Sequence, residues 1–62
     1  MILLIAEVRK KKKVTQVELA GMTGINQRMI SRFETGMTVP RLDQLIAIMN
    51  ALGAQWDDVV EL

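Results

Sequence analysis

The stretch TQVELAGMTGINQRMISRFETG, Thr15 to Gly36, decides how the rest of the chain is read. It opens with Thr15 followed at the third position by Glu18, the spacing of a capping box. In that device each side chain satisfies a backbone N–H of the other, so a helix starts at Gln16. Val17, Leu19, Ala20 and Met22 are expected to be its buried side. It ends by Gly24, which takes a left-handed conformation at little steric cost. Asn26 then caps a second helix of the stretch, with Ile25 ahead of it packing on Ile30 as a hydrophobic staple. Turning 100° per residue puts Met29, Ile30 and Phe33 on one side of this helix. Gln27, Arg28, Ser31 and Arg32 fall on the other, and Gly36 ends it.

The spacing Gln16-x-x-x-Ala20-x-x-x-Gly24, followed by Ile30, has a steric reason at each point. Two helices that cross closely need a small residue at Ala20, the sharp turn wants a glycine at Gly24, and Ile30 plugs the gap between them. Together they make a helix-turn-helix over about residues 16–34. In that arrangement the later helix lies in the major groove of DNA with its N-terminal side chains at base edges. The earlier helix directs its N-terminus toward a phosphate.

Outward from this unit, Ile2, Ile5, Val8 and Lys12 fall at helical spacing with Leu4 beside them, which predicts a first helix over residues 3–12. Its last turn is rich in lysine, which suits the negative end of the helix dipole. Downstream, Met37 to Pro40 reads as a connection, and Leu42, Leu45, Ile46, Met49 and Leu52 mark a fourth, amphipathic helix stopped by Gly53. Gln55 to Leu62 reads as a short fifth helix. Its competitor is a terminal strand, because Val59-Val60 is β-prone.

Composition bounds the function. At 62 residues the expectation is one domain spanning 1–62, all-α, a compact bundle of five short helices. Half of the residues are apolar, and only Phe33 and Trp56 are aromatic. Cysteine and histidine are both absent, which removes disulfides, thiol nucleophiles, zinc sites and the usual general base, and argues against an enzyme. The apolar opening Met1 to Ala6 is broken by Glu7, too short for a signal peptide or a membrane span. The expected location is therefore the cytoplasm, on the nucleoid when bound to DNA.

The formal net charge of +1 conceals an asymmetry. Residues 1–32 carry Arg9, Lys10, Lys11, Lys12, Lys13, Arg28 and Arg32 against Glu7 and Glu18, a balance of +5. Residues 33–62 carry Arg41 against Glu34, Asp43, Asp57, Asp58 and Glu61, a balance of −4. One face is thereby suited to a polyanion and another is not. A lysine run that merely solvates a helix end is the plainer account of the same charges.

VRKKKKVTQVELA (Val8 to Ala20), GINQRMISRFETG (Gly24 to Gly36) and PRLDQLIAIMNALG (Pro40 to Gly53), in this order, resemble the lambdoid phage repressor and Cro family of XRE-type helix-turn-helix regulators. The resemblance runs from Ile5 to about Val60. It implies a lambda-repressor-like bundle, sequence-specific binding to an operator in double-stranded DNA, and no cofactor or metal. Gln27, Arg28 and Arg32 match the base-reading positions, and their chemistry agrees, since Gln pairs with adenine and Arg with guanine. Gln16 matches a phosphate-contacting residue that can brace Gln27. Thr38 and Arg41 match positions on the DNA backbone or, for Arg41, the minor groove; Arg32, one turn further on, can equally meet a phosphate, and Ser31 can reach base, phosphate or neither. Arg9 and Glu34 match an ion pair between the first helix and the end of the third. Ordinary solvation of a polar helix face is the alternative for each exposed residue.

Three positions depart from the pattern. Lys13 stands where the family often has glycine, Arg41 where it often has a helix-capping serine, and Met1 to Leu4 are unusually apolar. A module of this size makes few base contacts, so a homodimer on two half-sites is expected. Trp56, Val59, Val60 and Leu62, with Met1 to Leu4, are the candidate interface. The alternatives are an antitoxin that autoregulates its operon and masks a toxin protein, and an interaction module that has lost DNA binding.

Overall fold

The computed structural model describes residues 2–62. In chain order the elements are β1 (Ile2–Leu3), α1 (Ile5–Lys11), α2 (Gln16–Thr23), α3 (Gln27–Thr35), α4 (Leu42–Leu52), α5 (Trp56–Val59) and β2 (Val60–Glu61). The all-α bundle of five short helices anticipated from the sequence is what these residues form, with a small sheet joining the ends.

Local chemistry sets the central boundaries. Thr15 Oγ1 accepts from the Glu18 N–H at 3.0 Å, and Glu18 Oε1 accepts from the Thr15 N–H at 2.9 Å, so both halves of the capping box close. Gly24 follows α2 at φ +75°, and its N–H reaches Ala20 O at 2.9 Å. Asn26 Oδ1 takes the Met29 N–H at 3.1 Å and starts α3. At α4 an arginine side chain can only donate, so Arg41 cannot cap the helix; Gln44 Oε1 instead accepts the Arg41 N–H at 2.9 Å, which satisfies one end of the exchange.

The ends of the chain differ from expectation. The first helix begins at Ile5 and not at residue 3, because Leu3 pairs antiparallel with Val60 and Ile2 with Glu61. The Leu4 N–H donates to Val59 O at 2.7 Å, which extends the same ladder. The fifth helix is correspondingly a single turn, Trp56–Val59, and Val60–Glu61 is strand. Helix and strand readings of the tail are thus both realised, one after the other. Backbone pairing between the ends satisfies groups that a frayed terminal turn would leave to water.

The core is built from Ile5, Val8, Leu19, Ile30, Phe33, Leu45, Ile48, Met49, Leu52 and Val59. Ile25, Ala20 and Met29 pack against it, which seats α2 on both α3 and α4. Burying one such side chain is worth about 1.5–3 kcal/mol. On α2 only Leu19 is fully buried; Val17 is 62% and Met22 55% exposed, contrary to the expected buried side. These residues lie around the helix without a common side, so only the one facing both α3 and α4 is covered. On α4 the buried set is Leu45, Ile48, Met49 and Leu52, a spacing of 3, 4 and 7, whereas Leu42 and Ile46 face outward. Val59 is enclosed and Val60 half-buried, so of the candidate interface residues near the end Trp56 and Leu62 are the exposed ones. Met1 lies outside the described residues.

Candidate nucleic-acid interface

Helix α3 is fixed from below and open above. Ile30 and Phe33 are buried and Met29 is half-buried, so the opposite side of the helix has one permitted direction, toward solvent. Gln27 and Arg28 stand there in the first turn and Arg32 one turn later, all exposed, with Ser31 half-buried between them. Arg28 and Arg32 are separated by about 6 Å along the axis, from a rise of 1.5 Å per residue. Among the described residues neither makes an ion pair. Two unneutralised guanidiniums and a carboxamide, on a helix anchored by its other face, can engage phosphates or the acceptor edges of bases.

Beside this face lies the N-terminus of α2. The capping box consumes the N–H groups of Thr15 and Glu18. The main-chain N–H groups of Gln16 and Val17 are the ones left without an intrahelical acceptor there. They concentrate the positive end of the helix dipole at a point next to the Gln16 side chain.

That side chain is held from within. Gln16 Nε2 donates to Glu34 Oε1 at 2.8 Å, and the same carboxylate takes Arg9 Nε at 2.6 Å and Arg9 Nη2 at 3.1 Å. Arg9 Nη1 donates in turn to Val14 O at 2.9 Å. One nearly enclosed ion pair therefore ties together α1, the turn into α2, the first residue of α2 and the last turn of α3. The Arg9 and Glu34 side chains are 11% and 7% exposed. Burial alone would raise the Glu34 carboxyl; hydrogen bonds from Arg9 and Gln16 and the charges of Arg9 and Lys10 outweigh it, and the group sits below the usual carboxylate range. The Arg9 guanidinium moves the other way, chiefly because Glu34 accepts its hydrogen bonds. The partner of Gln16 is thus Glu34, where the sequence pointed to Gln27. No spacing rule signals a bond between two elements 18 positions apart.

The remaining cations divide by accessibility. Lys10 to Lys13 are exposed around the end of α1, and Arg9 is spent on Glu34. Lys13 has φ +60°, the left-handed region that a glycine would occupy without strain. Arg41 is exposed and lies 3.4 Å from Asp43, an exposed pair of the kind worth at most about 1 kcal/mol, so its guanidinium can be recruited elsewhere. Thr38 is half-buried in the α3–α4 connection, its N–H turned back to Arg32 O at 3.4 Å.

A family model described as "Helix-turn-helix" matches residues 5–59, which takes in all five helices and leaves out β1 and β2. The chain belongs to the XRE-type, lambda repressor and Cro-like helix-turn-helix family. No curated protein matches it as a relative. Membership makes this helix-turn-helix protein a DNA-binding transcription regulator, in a family that is typically regulatory. No helix among the described residues is long and apolar enough to cross a membrane.

Proposed function

We propose that the chain is a sequence-specific repressor that binds a palindromic operator in double-stranded DNA as a homodimer. The outer face of α3 carries this reading: Gln27, Arg28 and Arg32 are exposed on a helix whose opposite side is locked into the core. In this reading those three side chains read base edges. Gln16, Ser31, Thr38 and Arg41 hold the sugar–phosphate backbone or enter the minor groove, and Arg9 with Glu34 supports them from inside.

Dimerisation is supported by what the fold leaves uncovered. Leu42 and Ile46 of α4 and Trp56 of α5 stay exposed, the last two around a depression shared with Met49 and Ala54. A second copy that covered them would give two reading helices, which a palindrome spaced by about one turn, 34 Å, requires. The same surface supports a second reading, in which the protein is an antitoxin and the cover is a toxin. A toxin-like neighbouring reading frame whose product co-purifies with the chain would favour it.

Selection of bound sequences from random duplex DNA tests the proposal. The expected result is an enriched inverted repeat; a pool that stays random would overturn it.

A further inference from the structure

We infer that Glu34 is a positioning residue for DNA docking, one that acts by fixing the Gln16 amide at the start of α2. The inference rests on the DNA-binding reading above. It begins from an oddity of charge: a carboxylate stands one hydrogen bond, 2.8 Å, behind a side chain that is expected to meet a phosphate. Glu34 cannot itself favour a phosphate, since both are anionic. Its charge is cancelled at the source, because Arg9 meets it at two points, 2.6 and 3.1 Å, with both side chains nearly enclosed. What reaches the surface is therefore orientation and not charge.

A glutamine amide can present either its oxygen or its nitrogen to a neighbour. An ionised carboxylate only accepts, so it selects the nitrogen end and holds the side chain in one rotamer. One Nε2 hydrogen is used on Glu34. The second remains a donor, on the same residue whose main-chain N–H has no intrahelical acceptor, and both are of the kind that an anionic oxygen accepts. A flexible amide would have to be ordered on binding; here the folded chain has already ordered it.

A double-mutant cycle separates this role from a purely structural one. Binding to a mixed-sequence duplex at fixed low salt is measured for the wild type, for Gln16→Ala, for Arg9→Met with Glu34→Leu, and for the three changes together. Arg9→Met with Glu34→Leu replaces the ion pair by an apolar one that is commonly tolerated, and it removes the acceptor of the Gln16 amide. Glu34→Gln does not serve, because its oxygen at the Oε1 place would still accept from Arg9 Nη2 and Gln16 Nε2. The expected result for the apolar pair is a loss of about tenfold in the wild type, and less than about twofold once Gln16 is alanine. Equal losses in both backgrounds would overturn the inference, because a residue that only supports the fold does not act through Gln16. If the apolar pair does not fold, Glu34→Ala, which also removes the acceptor, takes its place, and the same dependence on Gln16 is then required. A wild type that binds no duplex overturns the proposed function and this inference together; additive variants of a wild type that binds overturn this inference alone.

Discussion

Arg9 and Glu34, 25 positions apart, meet through two hydrogen bonds of 2.6 and 3.1 Å in a nearly enclosed site. Removing one partner strands the other charge away from water, so Glu34→Ala should lower the unfolding free energy by about 3 kcal/mol. Urea titration measures it. The combined change to Met and Leu should recover most of that loss, and a single variant as stable as wild type would show that the pair is wet.

The same carboxyl makes stability depend on pH with a definite sign. Its folded pKa is below the ordinary value, so the unfolded chain binds the proton more readily. The contribution is complete above about pH 4.3, the unperturbed glutamate value, and is lost as pH falls through the folded pKa. Glu18, lowered by the Thr15 N–H, adds in the same direction. Thermal midpoints should drop as pH falls below about 4.3, and the drop should be shallower in Glu34→Gln.

Lys13 at φ +60° carries a conformational cost that a glycine would not. Lys13→Gly should stabilise the fold by about 1 kcal/mol, after allowing for the greater freedom of glycine in the unfolded chain. In a domain this small that corresponds to a midpoint roughly 4–8 °C higher. Lys13→Ala, which keeps the Cβ, should give no such gain in the same melt.

Arg28 stands in the first turn of α3, opposite Ile30 and Phe33. Arg28→Ala should cost about 1–3 kcal/mol at one base pair of each half-site and spare binding to random duplex. Affinities for both duplexes, measured side by side, check it. Equal losses would make Arg28 a phosphate contact and move base reading to Gln27 and Arg32.

Salt should weaken binding steeply. With about six phosphates neutralised per dimer, log K against log salt has a slope near −5, and a flat response would contradict docking through the backbone. Replacing Lys10 to Lys13 singly by Gln shows which of them contribute, since each neutralised phosphate adds about 0.9 to the slope.

What was legible in the sequence is what local chemistry controls. The capping box at Thr15 and Glu18, the turn at Gly24 and the cap at Asn26 each depend on neighbours within a few positions, and each can be read from residue type. The apolar positions of α2 are scattered around the helix, so nothing in their order could say that Val17 and Met22 would face water. The strands at the ends are two residues each, too short for any alternation to show. The polar face of α3 followed from a strong helical period. The bond from Gln16 to Glu34 did not, because it depends on how two helices cross.

The pairing of Ile2 with Glu61 brings the first and last described elements to within one strand spacing, about 5 Å. A short linker could join them, and the chain could be opened instead at the exposed Met37 or Val39. In such a circular permutant every helix, cap and buried pair named above would remain within one continuous piece or bridge two packed ones. The order in which the helices are synthesised is then separable from the architecture that presents α3, since α4 and α5 would come first and the intact pair α2 and α3 last.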